Sequence, residues 1–153
     1  CAYILEDSAG WTIVDTGLNT PECRASWDIV IQHLDVLGPV RRVVCTHMHP
    51  DHIGLAGWLC DRFNAPLFMT RLEYVTARML LADTGPAPAN VAPFYRAAGW
   101  DAGRIESYIA GYGRFAQGVW PFPADYRRIA DGDTLCIGDD AWTVVVGDGH
   151  SPE

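Results

Sequence analysis

The sequence has no apolar run near the roughly 18 to 20 residues that span a bilayer, and its N-terminus lacks a basic segment followed by an apolar one. Both absences argue against a membrane-spanning helix or a secretory leader, so a soluble chain in the cytoplasm is expected. Cysteine is scarce: Cys1, Cys23, Cys45, Cys60 and Cys136 form an odd set of five with no Cys-x-x-Cys pair. That pattern argues against a disulfide framework and predicts reduced thiols. Cys45 and Cys136 lie in apolar stretches and are expected to behave as small core residues. Positive charge is also short, with 11 basic against 19 acidic residues and a formal net charge of -8. A field of that sign repels phosphate backbones and anionic lipid surfaces, so neither nucleic acid nor a membrane is the expected partner. Arg114, Arg127 and Arg128 come nearest to a basic patch and read as ordinary solvated charge. Internal repeats and low-complexity tracts are absent too.

What is present suits one globular domain: 153 residues, 49% hydrophobic and 20% charged, enough apolar material for a sizeable core. Tyr3 to Leu5 and Trp11 to Val14 read as short strands around a polar hairpin loop. From Ala25 to Leu37, apolar Trp27, Val30, Ile31, Leu34 and Leu37 recur at steps of three and four, predicting a half-buried helix that Gly38-Pro39 ends. Val40 to Thr46 reads as a buried strand, Ile53 to Phe63 as a helix, Pro66 to Thr70 as a strand and Arg71 to Ala82 as a helix. This alternation predicts an α/β layered architecture with helices covering a sheet. Residues 84–126 interrupt it with a proline-, glycine- and aromatic-rich segment carrying short helices. Strands then return at Arg127 to Ala130, Thr134 to Ile137 and Trp142 to Val146. The sequence opens without methionine inside a strand-like stretch and stops three residues after His150, so a piece of a longer chain is expected.

The chemistry concentrates in Thr46-His47-Met48-His49-Pro50-Asp51-His52. Imidazole nitrogens and a carboxylate oxygen are ligands that zinc accepts. His47 and His49, two apart at an extended strand end, project to one side. Pro50 turns the chain so that Asp51 and His52 point toward a neighbouring position. With 5 His and 14 Asp in 153 residues, a chance His-x-His-x-Asp-His match arises about once in two thousand such sequences, which favours a metal site over an accident. His150, after a strand and a glycine-rich turn, is the natural further ligand. Three histidines with one open position make a catalytic zinc site, whereas four closed ligands make a structural one. His33, inside the first helix, reads as a surface or packing residue.

The string THMHPDH resembles the signature of the metallo-β-lactamase superfamily, in which it follows a core strand. Asp15-Thr16-Gly17 resembles that family's loop after the second strand, and Gly149-His150-Ser151-Pro152 resembles its Gly-His-[Ser/Thr]-Pro turn. The resemblance implies a four-layer αββα sandwich, of which residues 1–153 supply mainly the N-terminal half, incomplete at the C-terminus, with a helical insertion at about 84–126. It assigns His47, His49 and His150 to one metal ion and Asp51 and His52 to a second. The family's bridging aspartate and final histidine follow the third histidine, so the second position has two ligands here and is expected to hold metal weakly. An uncovered sheet face predicts that this stretch alone is poorly soluble or metal-free.

The expected cofactor is zinc, as one or two ions, with manganese or iron as alternatives. Zinc lowers the pKa of water from about 15.7 toward 7, which makes a hydroxide nucleophile available at neutral pH. Asp51 is the candidate catalytic carboxylate, orienting the water and passing its proton to the leaving group. The expected partner is a small-molecule substrate. Phe94, Tyr95, Trp100, Tyr108, Tyr112, Phe115, Trp120 and Phe122 form either an aromatic cover over the metal or packing for a helical layer. Similar insertions in glyoxalase II-like relatives point to an ester, thioester or lactone. Rival readings are a phosphodiesterase or nuclease on the same fold, a diiron flavoprotein-like oxidoreductase, and a non-catalytic metal-binding domain. Nitrogen-rich ligation disfavours the diiron reading, and the negative charge disfavours the nuclease.

Overall fold

The computed structural model describes the backbone from Cys1 to Glu153 and every side chain except those of residues 35–37. Leu37, the last member of the apolar set predicted for the first helix, has its side chain outside the described residues. Strands β1 (Tyr3–Asp7) and β2 (Gly10–Val14) form an antiparallel hairpin. Helix α1 (Pro21–Leu37) leads to β3 (Val40–Val44), then α2 (Pro50–Ile53), α3 (Ala56–Phe63), β4 (Leu67–Thr70) and α4 (Arg71–Ala82). Helices α5 (Val91–Ala97) and α6 (Ala102–Gly111) and a 3-10 turn (Phe115–Gly118) precede β5 (Arg127–Ile129), β6 (Thr134–Ile137) and β7 (Asp140–Thr143). The main sheet runs β1-β2-β3-β4-β5, parallel from β2 onward, and β6-β7 is a separate two-stranded hairpin.

Side-chain alternation along the central strands explains the layering. Ile13, Val43, Leu67 and Met69 are almost or entirely inaccessible to solvent and pack with Leu55 and Leu59. Trp27, Ile31 and Leu34 of α1 join the same core, as their spacing predicts. The opposite face carries Val14, Val44 and Ile129, which with Leu135, Ile137 and Trp142 of the β6-β7 hairpin line a groove of about 310 Å³. Cys45 is buried as expected, but Cys136 is exposed. Along β6 the alternation turns Leu135 and Ile137 inward and Cys136 outward, which the apolar run conceals. All five cysteines are free thiols. No helix is long and apolar enough to cross a membrane, among the described residues.

Several boundaries differ from expectation for local reasons. Helix α1 starts at Pro21, one turn before the apolar stripe, because Thr20 Oγ1 accepts from Cys23 N–H (3.2 Å) and proline suits the first helical position. The helix expected over 53–63 is two, broken at Gly54-Leu55. A Cβ on Gly54 would collide with the carbonyl oxygens of Gly17 and Pro50, so only glycine lets these backbones approach. The last strand ends at Thr143 instead of Val146, because Val144 N–H donates to Asp133 O (2.8 Å) and its carbonyl accepts from Gly132 N–H (2.9 Å).

The aromatic segment divides. Phe115, Val119 and Phe122 pack on the main core, and Tyr74 stacks on Tyr126 with ring centroids 3.9 Å apart. Tyr95, Trp100, Tyr108 and Tyr112 instead pack on one another between α5 and α6, with Tyr95 stacked on Trp100 at 4.2 Å. Half of the segment is therefore core packing and half is a self-contained helical hairpin.

Candidate metal centre

Because β2, β3 and β4 are parallel, their C-terminal ends lie side by side, and the polar residues gather there. Asp15 follows β2 with φ +60°, a left-handed conformation that aspartate tolerates better than most residues. It is buried, and its carboxylate accepts from Thr46 N–H (2.8 Å) and Thr46 Oγ1–H (2.9 Å). Thr16 donates from both N–H (2.8 Å) and Oγ1–H (2.7 Å) to the carbonyl of His52 and accepts from Trp27 Nε1–H (2.8 Å) at its own carbonyl. The loop after β2 thus clamps the loop after β3. That second loop runs through Thr46 to His49, and Pro50 at the first position of α2 redirects it.

The ring centroid of His47 lies 4.9 Å from that of His49, 5.1 Å from that of His150 and 3.9 Å from that of His52. One ligating nitrogen from each of His47, His49 and His150 lies within 4.8 Å of the others. His150 thus arrives beside the pair from the far end of the chain. His52 Nδ1–H donates to Asp15 Oδ2 (2.8 Å), and its Nε2 stands 3.3 Å from Asp51 Oδ2. Asp51 is exposed, and His33 sits apart on α1, bonded to Ile29 O (2.9 Å).

The hydrogen-bond network fixes which nitrogen of His47 is free. Thr46 donates its hydroxyl proton to Asp15, so it accepts from His47 Nδ1–H (3.0 Å), leaving the lone pair of His47 on Nε2. That Nε2 and His49 Nδ1 are both buried without a hydrogen-bond partner. A buried polar atom without a partner costs about 1–3 kcal/mol, and two in one cluster are unfavourable unless a cation sits against their lone pairs. Burial pushes the His47 ring below its ordinary pKa, reinforced by the neighbouring rings of His52, His49 and His150 and opposed by Asp15. The lowered value favours the neutral, ligating form. The residues present therefore fit a metal ion held mainly by nitrogen donors.

Residues 2–152 match the family described as Metallo-beta-lactamase superfamily. The chain belongs to that superfamily. A beta-lactamase domain protein from Burkholderia ambifaria has a similar structure, with 38% identity and a TM-score of 0.80 over 99% of this chain and 44% of that one. A subclass B3 metallo-beta-lactamase of Bradyrhizobium japonicum shares the fold at 20% identity and a TM-score of 0.63, over 99% of this chain and 47% of that one. An uncharacterized protein of Aquifex aeolicus (strain VF5) is 25% identical over 99% of this chain and 56% of its own length. The chain thus spans about half the length of the relatives it matches.

Within this metallo-beta-lactamase half, the short motifs marked the histidines but not what holds them. Thr46 and Asp15 form the hydrogen-bonded bridge between His47 and His52, although sequence reading gave Asp15 only a loop resemblance and Thr46 nothing. Glu73 was missed altogether. It is fully buried, and its Oε2 accepts from Met48 N–H and its Oε1 from Glu153 N–H, each at 2.7 Å. Its signal was available: an acidic residue beside Tyr74 on the face of α4 that also buries Ala77.

Proposed function

We propose that the protein is a metal-dependent hydrolase of an ester, thioester or lactone, with a zinc-class ion held by His47, His49 and His150 and a second position at Asp51 and His52. The observation that carries the reading is the pair of buried, unpartnered imidazole nitrogens within a three-histidine cluster. Superfamily membership supports metal-dependent hydrolysis in general. When bound, such an ion supplies Lewis acidity, making water nucleophilic near neutral pH and polarising a carbonyl.

The chain's own residues do the rest. Thr46 and Asp15 hold His47 and His52 in single tautomers, which keeps the free nitrogens turned into the cluster. Asp51, with 60% of its side chain exposed, is open to solvent. Its carboxylate accepts a proton from the attacking water and returns it to the leaving oxygen or sulfur.

The test uses the full-length protein purified without added metal. Mass spectrometry is expected to find zinc, and turnover of a thioester or lactone is expected to exceed that of a phosphodiester. His47→Ala is expected to abolish both metal retention and turnover. Iron with a flavin, or phosphodiester cleavage as the dominant activity, would overturn the proposal.

A further inference from the structure

Thr70 and Glu73 have the spacing of a capping box, in which the threonine hydroxyl and the glutamate would satisfy each other's backbone N–H groups at the start of α4. The structure forgoes it. Thr70 makes no side-chain cap bond and its Oγ1 is buried without a partner. Glu73 turns inward instead, to complete burial, and uses one oxygen on Met48 N–H and the other on Glu153 N–H. Burying a carboxylate carries a large desolvation cost, so a side chain that abandons a local cap for this position needs strong partners. Two charge-assisted bonds at 2.7 Å, together with the positive end of α4, supply them.

The identity of the two partners matters more than their strength. Met48 lies between His47 and His49, so holding its N–H fixes the peptide plane that follows His47 and anchors the loop that carries both rings. Glu153 lies three residues after His150, and its own side chain accepts from Leu72 N–H (2.9 Å) at the same end of α4. A single carboxylate therefore joins the two distant stretches that supply the three imidazoles.

We infer that Glu73 is the positioning residue for the metal centre: it sets the approach of His150 to His47 and His49, and thereby the affinity for the ion, without touching ion or substrate. This rests on the metal-site reading above. Glu73→Gln keeps the shape, but its amide NH2 faces one of the two N–H donors and removes that bond. Loss of such an outer partner lowers metal affinity by about 10- to 100-fold.

The test is zinc binding by the full-length protein, measured by competition with a chromophoric chelator, alongside circular dichroism and melting of the metal-free protein. Glu73→Gln is expected to keep the wild-type spectrum while binding zinc about 10- to 100-fold more weakly, with turnover recovering as zinc is raised. A purely structural role would lower the metal-free melting temperature and leave zinc affinity unchanged in the folded fraction, which would overturn the inference. Should Glu73→Gln not fold, the pair Glu153→Pro and Glu153→Ala decides. Proline deletes the N–H that Glu73 holds and alanine keeps it, so proline is expected to bind zinc at least tenfold more weakly than alanine, and equal affinities would overturn the inference. Wild-type protein that binds zinc but turns over no carbonyl substrate would count against the proposed hydrolase while leaving the role of Glu73 standing.

Discussion

Replacing Asp15 with asparagine isolates the network behind the histidines. Asparagine is as tolerant as aspartate of the φ of +60° at this position, so the backbone has no reason to move. Oδ1 can still accept from Thr46 N–H (2.8 Å), but an amide NH2 now occupies the place of Oδ2, facing His52 Nδ1 at 2.8 Å and the Thr46 hydroxyl at 2.9 Å. Two donors cannot share that contact. The His52 ring escapes the conflict by moving its proton to Nε2, which removes the lone pair on the side facing Asp51. A charge-assisted hydrogen bond is thereby exchanged for a neutral one, at about 1 kcal/mol in folding stability. The second ligand position loses a nitrogen donor, so affinity there is expected to fall about 10- to 100-fold while the three-histidine cluster keeps its ion. The assay is urea unfolding of the full-length protein together with nitrogen-15 imidazole shifts and metal stoichiometry. An unchanged His52 tautomer with unchanged metal content would refute the reasoning, because it would mean that Asp15 does not orient the ring.

Other perturbations test the frame around the site. Gly57 lies on the buried face of α3, and a Cβ there would collide with Pro121 O. Gly57→Ala gains up to about 1 kcal/mol in helix propensity but forces apart α3 and the segment after the 3-10 turn, for a net loss of about 1–3 kcal/mol; an unchanged or higher urea midpoint would contradict this. For Asp7, burial acts to raise the carboxyl pKa, but hydrogen bonds from Gly138 N–H, Thr12 Oγ1–H and Ser8 N–H and the charge of Arg42 outweigh it and hold the value below 3.8. A depressed folded pKa contributes stability that is present above the unfolded value and lost as pH falls through the folded one. Acidification below about pH 4 is therefore expected to weaken the tie between β1 and the β6-β7 turn. Asp7→Asn is expected to lose less stability between pH 7 and pH 3 than the parent, as compared by urea midpoints, and an equal loss would exclude Asp7 as the titrating group.

Legibility in the sequence followed locality. Helix α4 has the bounds Arg71–Ala82 read from the sequence, because a run rich in strong helix formers is a local signal. The His-x-His-x-Asp-His run was visible for the same reason: its ligands are neighbours, and the strand end and Pro50 that orient them are adjacent. The break at Gly54-Leu55 was hidden because the Gly54 carbonyl is taken by Trp120 N–H (2.7 Å), far along the chain. Cys136 was misplaced because an apolar strand pattern does not reveal which face is covered. Glu73 escaped notice because its one signal was its place on the buried face of α4, and its partners, the main-chain N–H groups of Met48 and Glu153, leave no mark in residue identity.

The parallel run of β2, β3 and β4 has a consequence for how the molecule assembles. Parallel neighbours cannot be joined by a tight turn, so each pairing must wait for an intervening helix to form and fold back. Contacts of that kind carry the entropy of closing long loops before they yield any energy, which slows their formation. Asp15, the His47 loop and Glu73 stand at three successive strand ends, and Glu153, three residues after His150, is tied to Glu73 on α4. Ion capture in a refolding experiment should accordingly lag behind the appearance of helical signal, and its time course would report the moment when the strands have found their neighbours.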